Sequence, residues 1–347
     1  MIALHLRILI RNLVSKLDFH KQAQKYYESA PVIILGSGAS IPFGMSSMQA
    51  LSTHLINSVR PPENEINVWS GFSQLLEEGI DLETALHKTS FSDDLLKLVV
   101  DNTWKLINPQ DIEAFNKSIG MRDYFPLKRL ISSMLHTAHK EIDIITTNYD
   151  RLVEYACEKA GYRHYTGFSY GYVRHLIDKD QLQSDRTVNI WKVHGSLDWF
   201  KDKNGDTYGL GHTEHIPEFS LSQIVTPGIE KYKKTHLEPY RTIISQADKA
   251  IKKSSSYLCC GFGFNDEHIQ EKLVEKCVRG DSIITVVTRD FTDAAKEFLF
   301  DKKVKSYLAI ERGDSDGQSV IYSSQTTEKI IVDEDYWTLS GYLNLVL

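Results

Sequence analysis

The chain has 347 residues, 41% of them apolar and 25% charged, with a net charge of −6; this is the composition of a globular protein long enough for two domains, or for one α/β domain with an insertion. The acidic balance gives no reason to expect direct nucleic-acid binding. Its four cysteines, Cys157, Cys259, Cys260 and Cys277, form no Cys-x-x-Cys pair, which argues against a disulfide framework or zinc ribbon and fits a reducing, cytoplasmic setting.

Met1 to Val14 reads as an amphipathic helix. Arg7 and Arg11 interrupt its apolar run, so it is too short and too charged for a signal or a membrane span. Such a helix packs on its own domain or meets a partner or a second copy. The first strand signal, Val32–Leu35, runs into Gly36-Ser37-Gly38-Ala39-Ser40. Residues 45–140 then carry apolar residues at three- and four-residue spacing, as in Phe72–Glu78, Leu82–Leu86 and Asp94–Val100. That is too long for one crossover and predicts an inserted helical subdomain, with Leu127–Leu135 leading back to the sheet.

Ile142–Ile145 is the next strand, followed by Thr146-Thr147-Asn148-Tyr149-Asp150 and a helix over 150–160 that ends at Gly161. Asp150 is expected at the N-cap or in the first turn, where a carboxylate accepts backbone N–H groups. Residues 161–186 read as a loop. Val188–Trp191 is a third strand, running into Lys192-Val193-His194-Gly195-Ser196. Residues 201–236 suggest a second loop or a small module, and Lys233–Lys253 a helix. Tyr257–Cys260 runs into Gly261-Phe262-Gly263, and a further strand signal covers 282–289. Beyond Lys303, apolar and polar residues alternate up to the apolar end, Trp337 to Leu347.

Strands alternating with helices predict an α/β fold, a Rossmann-like parallel sheet with helices on both faces. The expected divisions are an N-terminal helical segment over 1–30, a nucleotide-binding domain over 31–300 with its insertion at about 45–140, and a C-terminal extension over 301–347.

Ligands of open parallel sheets sit at the carboxyl ends of the strands. The residues there admit two readings each. Gly36–Ser40 is a plain tight turn or a phosphate loop; its third glycine stands at 44, so the Gly-x-Gly-x-x-Gly fingerprint is not met. Asn148 and Asp150 form an Asn turn with a helix cap, or hold a ribose, an amide or a water. His194 is a core histidine, or a proton acceptor near neutral pH. His212, Glu214 and His215 lie on a glycine-rich stretch that is a poor template for a metal.

Taken together, the four turns resemble the sirtuin family, which carries Gly-Ala-Gly-x-Ser, Thr-Gln-Asn-Ile-Asp, a His-Gly pair and a Gly-Thr-Ser turn in that order. The similarity spans roughly 31–290. It implies binding of NAD, with Gly36, Ser37, Gly38, Ala39, Ser40, Thr147, Asp150, Gly261, Phe262, Gly263 and Thr288 as the binding residues. Asn148 would position the ribose and a water, Asp150 would hold the carboxamide, and His194 would accept a proton. The sequence departs from the deacylases in two places. Gly44–Gln49 lacks the Phe-Arg loop that follows the first turn in those enzymes, and 197–225 holds none of their zinc-binding cysteines. With Ile224–Gly228 and Asn265–His268, the chain is more similar to the zinc-free branch of bacterial anti-phage defence. That branch implies an NAD hydrolase releasing nicotinamide and ADP-ribose, a homo-oligomer, and a HerA-type ATPase partner. An NAD- or ADP-ribose-binding regulatory module and an NAD-dependent deacylase are the alternatives.

Overall fold

A computed structural model describes residues 18–136, 139–182, 185–226, 237–280 and 282–347. The expected helix at Met1–Val14 and the segment at Pro227–Gly228 lie outside the described residues. Among those described, the strands are β1 (Val32–Leu35), β2 (Glu141–Thr146), β3 (Arg163–Tyr165), β4 (Val173–His175), β5 (Thr187–Lys192), β6 (Gly195–Lys201) and β7 (Thr207–Leu210). There follow β8 (Leu221–Ile224), β9 (Ser256–Cys260), β10 (Ile283–Val287), β11 (Tyr307–Arg312), β12 (Ser319–Ser323) and β13 (Ile330–Val332). The fold is mixed α/β, a large and mostly parallel sheet flanked by helices, as the alternation of strands and helices predicts.

The chain divides into two compact units. The first comprises 1–39, 126–145 and 248–347. Its strands run β13-β12-β11-β10-β9-β1-β2. β1, β9, β10 and β11 pair in parallel, and β12 and β13 close the edge antiparallel. All four residues of β1 and all five of β9 are buried, which explains their continuous apolar runs: a parallel strand covered on both faces has no polar side to alternate. The alternation beyond Lys303 belongs to β11, which pairs with β10.

The apolar C-terminal segment is not left for a partner. Leu339–Val346 is a helix capped by Thr338, with Tyr342, Leu343, Leu345 and Val346 buried in its own unit. Hydrophobicity alone would offer this end as a contact surface between copies, but those four side chains belong to the core.

The second unit comprises 40–125 and 146–247. Its helices Met48–Ser58, Ile66–Glu77, Leu82–Lys88 and Asp93–Ile119 form the predicted helical region. Three begin at side chains that accept a backbone N–H: Ser47 from Ala50, Asp81 from Thr84 and Ser92 from Leu95. Leu55, Phe72, Ala85, Leu95 and Val99 are among the residues that fuse their inner faces into one apolar cluster. The last helix continues through Pro109. Proline removes one helical hydrogen bond, but Trp104, Ile107, Asn108 and Asp111 are buried on either side of it, and that packing overrides the break.

In the same unit β3 and β5 pair in parallel, and β4-β7-β6-β8 form a separate antiparallel sheet. The stretch 161–186, expected as a loop, thus holds two short strands. Of the stretch 201–236, expected as a second loop or a small module, the described residues 201–226 hold β7 and β8 of that sheet. The helix expected over 233–253 is described from Tyr240 to Lys253.

Candidate functional site

In the first unit the glycine turns after β1 and β9 interlock through their backbones. Gly36 N donates to Cys260 O at 3.1 Å, Gly38 N to Gly261 O at 3.0 Å, and Ala39 N to Gly36 O at 3.0 Å. A Cβ on Gly36 would lie 2.5 Å from Gly261 O, and one on Gly261 only 2.2 Å from Ala39 N. Glycine is required here because two main-chain segments touch. The turn continues as short 3-10 segments at Ser37–Ala39 and Ile41–Phe43, and the next α-helix begins only at Met48. Three of the turn's amides, those of Gly36, Gly38 and Ala39, are already bonded to carbonyls. Phe262 and Phe264 pack together, and Phe264 stacks on Phe298 with centroids 4.6 Å apart. Gly263 O accepts from Thr292 Oγ1 at 2.5 Å. Thr288 N donates to Ile310 O, which ties the end of β10 to β11.

The second unit gathers side chains instead. Asn148 Nδ2 donates to Ser40 Oγ at 2.9 Å, and Ser40 Oγ donates to Asp150 Oδ2 at 2.7 Å. The backbone N–H of Asn148 donates to Thr146 Oγ1 at 3.0 Å, closing the turn locally; Thr147, beside them, is half-buried. Asp150 Oδ1 accepts from Leu152 N at 3.3 Å. The helix begins at Leu152 with Arg151 at its N-cap, so Asp150 stands one residue before the position expected for it. Both its oxygens thus accept protein donors, Oδ2 from the Ser40 hydroxyl and Oδ1 from the Leu152 N–H. Burial pushes Asp150 up to about 6, with Asp111 adding to the rise and Lys192 and Ser40 tempering it.

His194 lies in the turn between β5 and β6. Val193 N donates to Thr146 O at 3.1 Å and Leu197 N to Tyr149 O at 3.0 Å, so residues 193–197 run alongside 146–149. The histidine is 6% exposed. Gly195 follows at φ +83°, where a Cβ would lie 2.0 Å from Gln223 O. Only glycine turns the chain this tightly against β8, and Val225 N donates to His194 O at 2.8 Å to hold it.

Sequence reasoning missed the charged scaffold beneath these residues. Lys192 is fully buried, pairs with Glu154 at 3.0 Å, and donates to the main-chain carbonyl of Asp150. Arg151 binds Asp111 through its backbone N–H at 2.6 Å and its Nε at 2.9 Å. Tyr155 Oη donates to Asp111 at 2.5 Å and meets His212 Nε2 at 2.8 Å. Arg174 pairs with Asp198. Burial works to raise Asp198, yet Arg174, Lys192, Arg151 and a bond from Ser196 together hold it well below the usual carboxylate range. One signal was available in the sequence: Lys192 is the one charged residue of β5 and stands at its end.

Burial raises the Cys157, Cys259, Cys260 and Cys277 thiols above their ordinary value, which leaves none of them poised as a nucleophile. Among the described residues no three His, Cys, Asp or Glu come together as a metal site, and no helix is long and apolar enough to cross a membrane.

The fold and site thus define an α/β protein with an amide, a hydroxyl, a carboxylate and an imidazole at the ends of its parallel strands. Residues 143–304 match the family model of the SIR2-like domain. None of the curated proteins compared matches the chain. A solved structure addressing the mechanism and regulation of Sir2 enzymes aligns at 15% identity and a TM-score of 0.42, over 81% of this chain and 89% of that one. A Sir2 homologue mutant in complex with ADP-ribose aligns at 14% identity and a TM-score of 0.41, over 78% of this chain and 87% of that one.

Proposed function

We propose that the chain is an NAD glycohydrolase, which cleaves the nicotinamide–ribose bond with water and yields nicotinamide and ADP-ribose. The observation that supports this best is the Asn148–Ser40–Asp150 series of hydrogen bonds, with the His194 turn laid along the same backbone. It joins a positioned amide to a proton acceptor on a SIR2-like domain.

When the C1′–N bond breaks, its electron pair leaves with nicotinamide, and the pyridinium becomes neutral. Positive charge then develops on the ribose. Ser40 fixes the plane of the Asn148 amide, and Asn148 orients the attacking water. Alignment of this kind removes an entropic part of the barrier. The water oxygen bonds C1′, and His194 takes the released proton; general-base help is typically worth about 10²–10⁴-fold. Asp150 acts through Ser40. Gly36–Ala39, Gly261–Gly263 and Thr288 are assigned to the pyrophosphate and adenosine by family resemblance. The same resemblance extends the proposal to anti-phage defence by NAD depletion, with a homo-oligomer and a HerA-type ATPase as partner.

Incubating the purified full chain with NAD and following nicotinamide release is the test. His194→Ala should abolish release while NAD affinity stays within about tenfold, because the imidazole acts mainly in the transition state. Asn148→Ala should be nearly inactive as well. Wild-type turnover in His194→Ala would make the residue a core histidine and end the hydrolase proposal. A wild-type chain that binds NAD and releases no nicotinamide would be a binding module instead.

A further inference from the structure

Lys192 is fully buried at the end of β5, two residues before His194. Its ammonium has two partners in different elements. One is the carboxylate of Glu154, in the first turn of the helix Leu152–Ala160. The other is the main-chain carbonyl of Asp150, at the end of the turn that carries Asn148. A Lys–Glu pair this far from water gains little net stability over apolar residues of the same volume, because desolvation offsets the attraction. Its distinctive feature is where it reaches. One side chain ties the strand that delivers the imidazole to the turn that delivers the amide.

Resting on the hydrolase proposal, we infer that Lys192 is a positioning residue for that reaction, whose ammonium holds the Asn148–Asp150 turn in register with the His194 turn. It touches neither NAD nor water; it acts through the Asp150 carbonyl. The charge also reaches the Asp150 carboxylate, which Ser40 and the Leu152 N–H face directly and which Asp111 influences from the helix Asp93–Ile119. Around the lysine stand Glu154 and Asp198; Arg174 and Arg151 also act on Asp198, and Glu154 acts on His164 and Cys157.

The test compares the wild-type full chain with Lys192→Met/Glu154→Gln, which removes both charges at nearly constant volume. Thermal unfolding, NAD affinity and the pH profile of nicotinamide release are measured on each. The double variant should lose about 10- to 100-fold in kcat with KM changed less than about threefold, the mark of lost alignment rather than lost binding. The acid limb of its kcat profile should move to higher pH, since the ammonium no longer favours the ionised Asp150. A purely structural pair would lower the unfolding temperature and leave that limb in place. Lys192→Gln, which keeps a donor toward the Asp150 carbonyl but no charge, should hold kcat within about fivefold and shift the limb the same way; it decides the matter if the double variant does not fold. A folded double variant with wild-type kcat, or either folded variant with an unmoved acid limb, overturns the positioning role alone. A wild-type chain that releases no nicotinamide overturns the hydrolase proposal and this role together.

Discussion

The turn after β9 and the turn after β5 look alike in sequence, each an apolar strand followed within three residues by a glycine. The structure builds them by different means. At Gly261 the constraint is steric: φ is +55°, and main-chain atoms of Gly38 and Ala39 occupy the space a Cβ would need. The bonds that close the interlock run between main-chain atoms. At Gly195 a steric constraint is also present, but the surroundings are electrostatic. Lys192–Glu154, Arg151–Asp111 and Arg174–Asp198 are ion pairs with little or no exposure in the same unit. One turn is a joint that lets two backbones touch. The other lies in a unit where charges are paired out of water, and Lys192 of the strand before it bonds the turn that carries Asn148.

Three substitutions would break or sharpen that contrast. The largest effect is expected at the joint. Gly261→Ala puts a methyl into main-chain atoms that cannot yield, and should cost roughly 4 kcal/mol or more, in the range reserved for severe mutations. Denaturant unfolding of the purified chain measures it, and a loss below about 1 kcal/mol would mean that the two turns can separate.

Next come the paired charges. Asp198→Ala leaves Arg174 buried without its carboxylate, and removing one partner of such a pair typically costs about 3–5 kcal/mol. The depressed Asp198 contributes stability that is present above its unfolded pKa and lost as pH falls through its folded one. The wild type should therefore lose more stability than Asp198→Ala on acidification below about pH 4, the ordinary carboxylate value. Parallel acid-unfolding curves for the two proteins would contradict this.

The smallest effect carries the opposite sign. Asp150 has its folded value raised to about 6 from 3.8, so its contribution is complete below the unfolded value and lost as pH rises through the folded one. Asp150→Asn keeps an acceptor for Ser40 and carries no buried charge. It should stabilise the chain on the order of 1–3 kcal/mol at pH 7 and show no gain near pH 4. If Asp150 orders Ser40 as a carboxylate, wild-type nicotinamide release should also fall as pH drops through about 6. A variant that is less stable at pH 7 would show that the carboxylate's bonds outweigh its burial.

Much of this fold is legible in the chain. Strands such as Val32–Leu35 and Tyr257–Cys260 announce themselves because residues buried on both faces must all be apolar. The helices at Leu82 and Asp93 are announced by Asp81 and Ser92, which cap them locally. Asn148, Asp150 and His194 could be singled out because they are polar residues in turns that follow apolar strand runs. What was not legible depends on distant residues. Nothing around Pro109 says that Trp104 and Asp111 will hold a helix through it. Nothing in Trp337–Leu347 says whether an apolar face meets a partner or, as found, its own core.

By itself, then, the sequence determined the order of strands and helices, the glycine turns and the polar groups at the strand ends, since hydrophobic period, turn chemistry and capping act over a few residues. Tertiary structure alone decided that Gly38 and Gly261 need each other, that Asp150 bonds Ser40 across 110 positions, and that Lys192 reaches back to Asp150 and Glu154. Those are contacts between residues far apart in the chain. Their energies come from excluded volume and from charges removed from water, and neither exists until the distant segments have met.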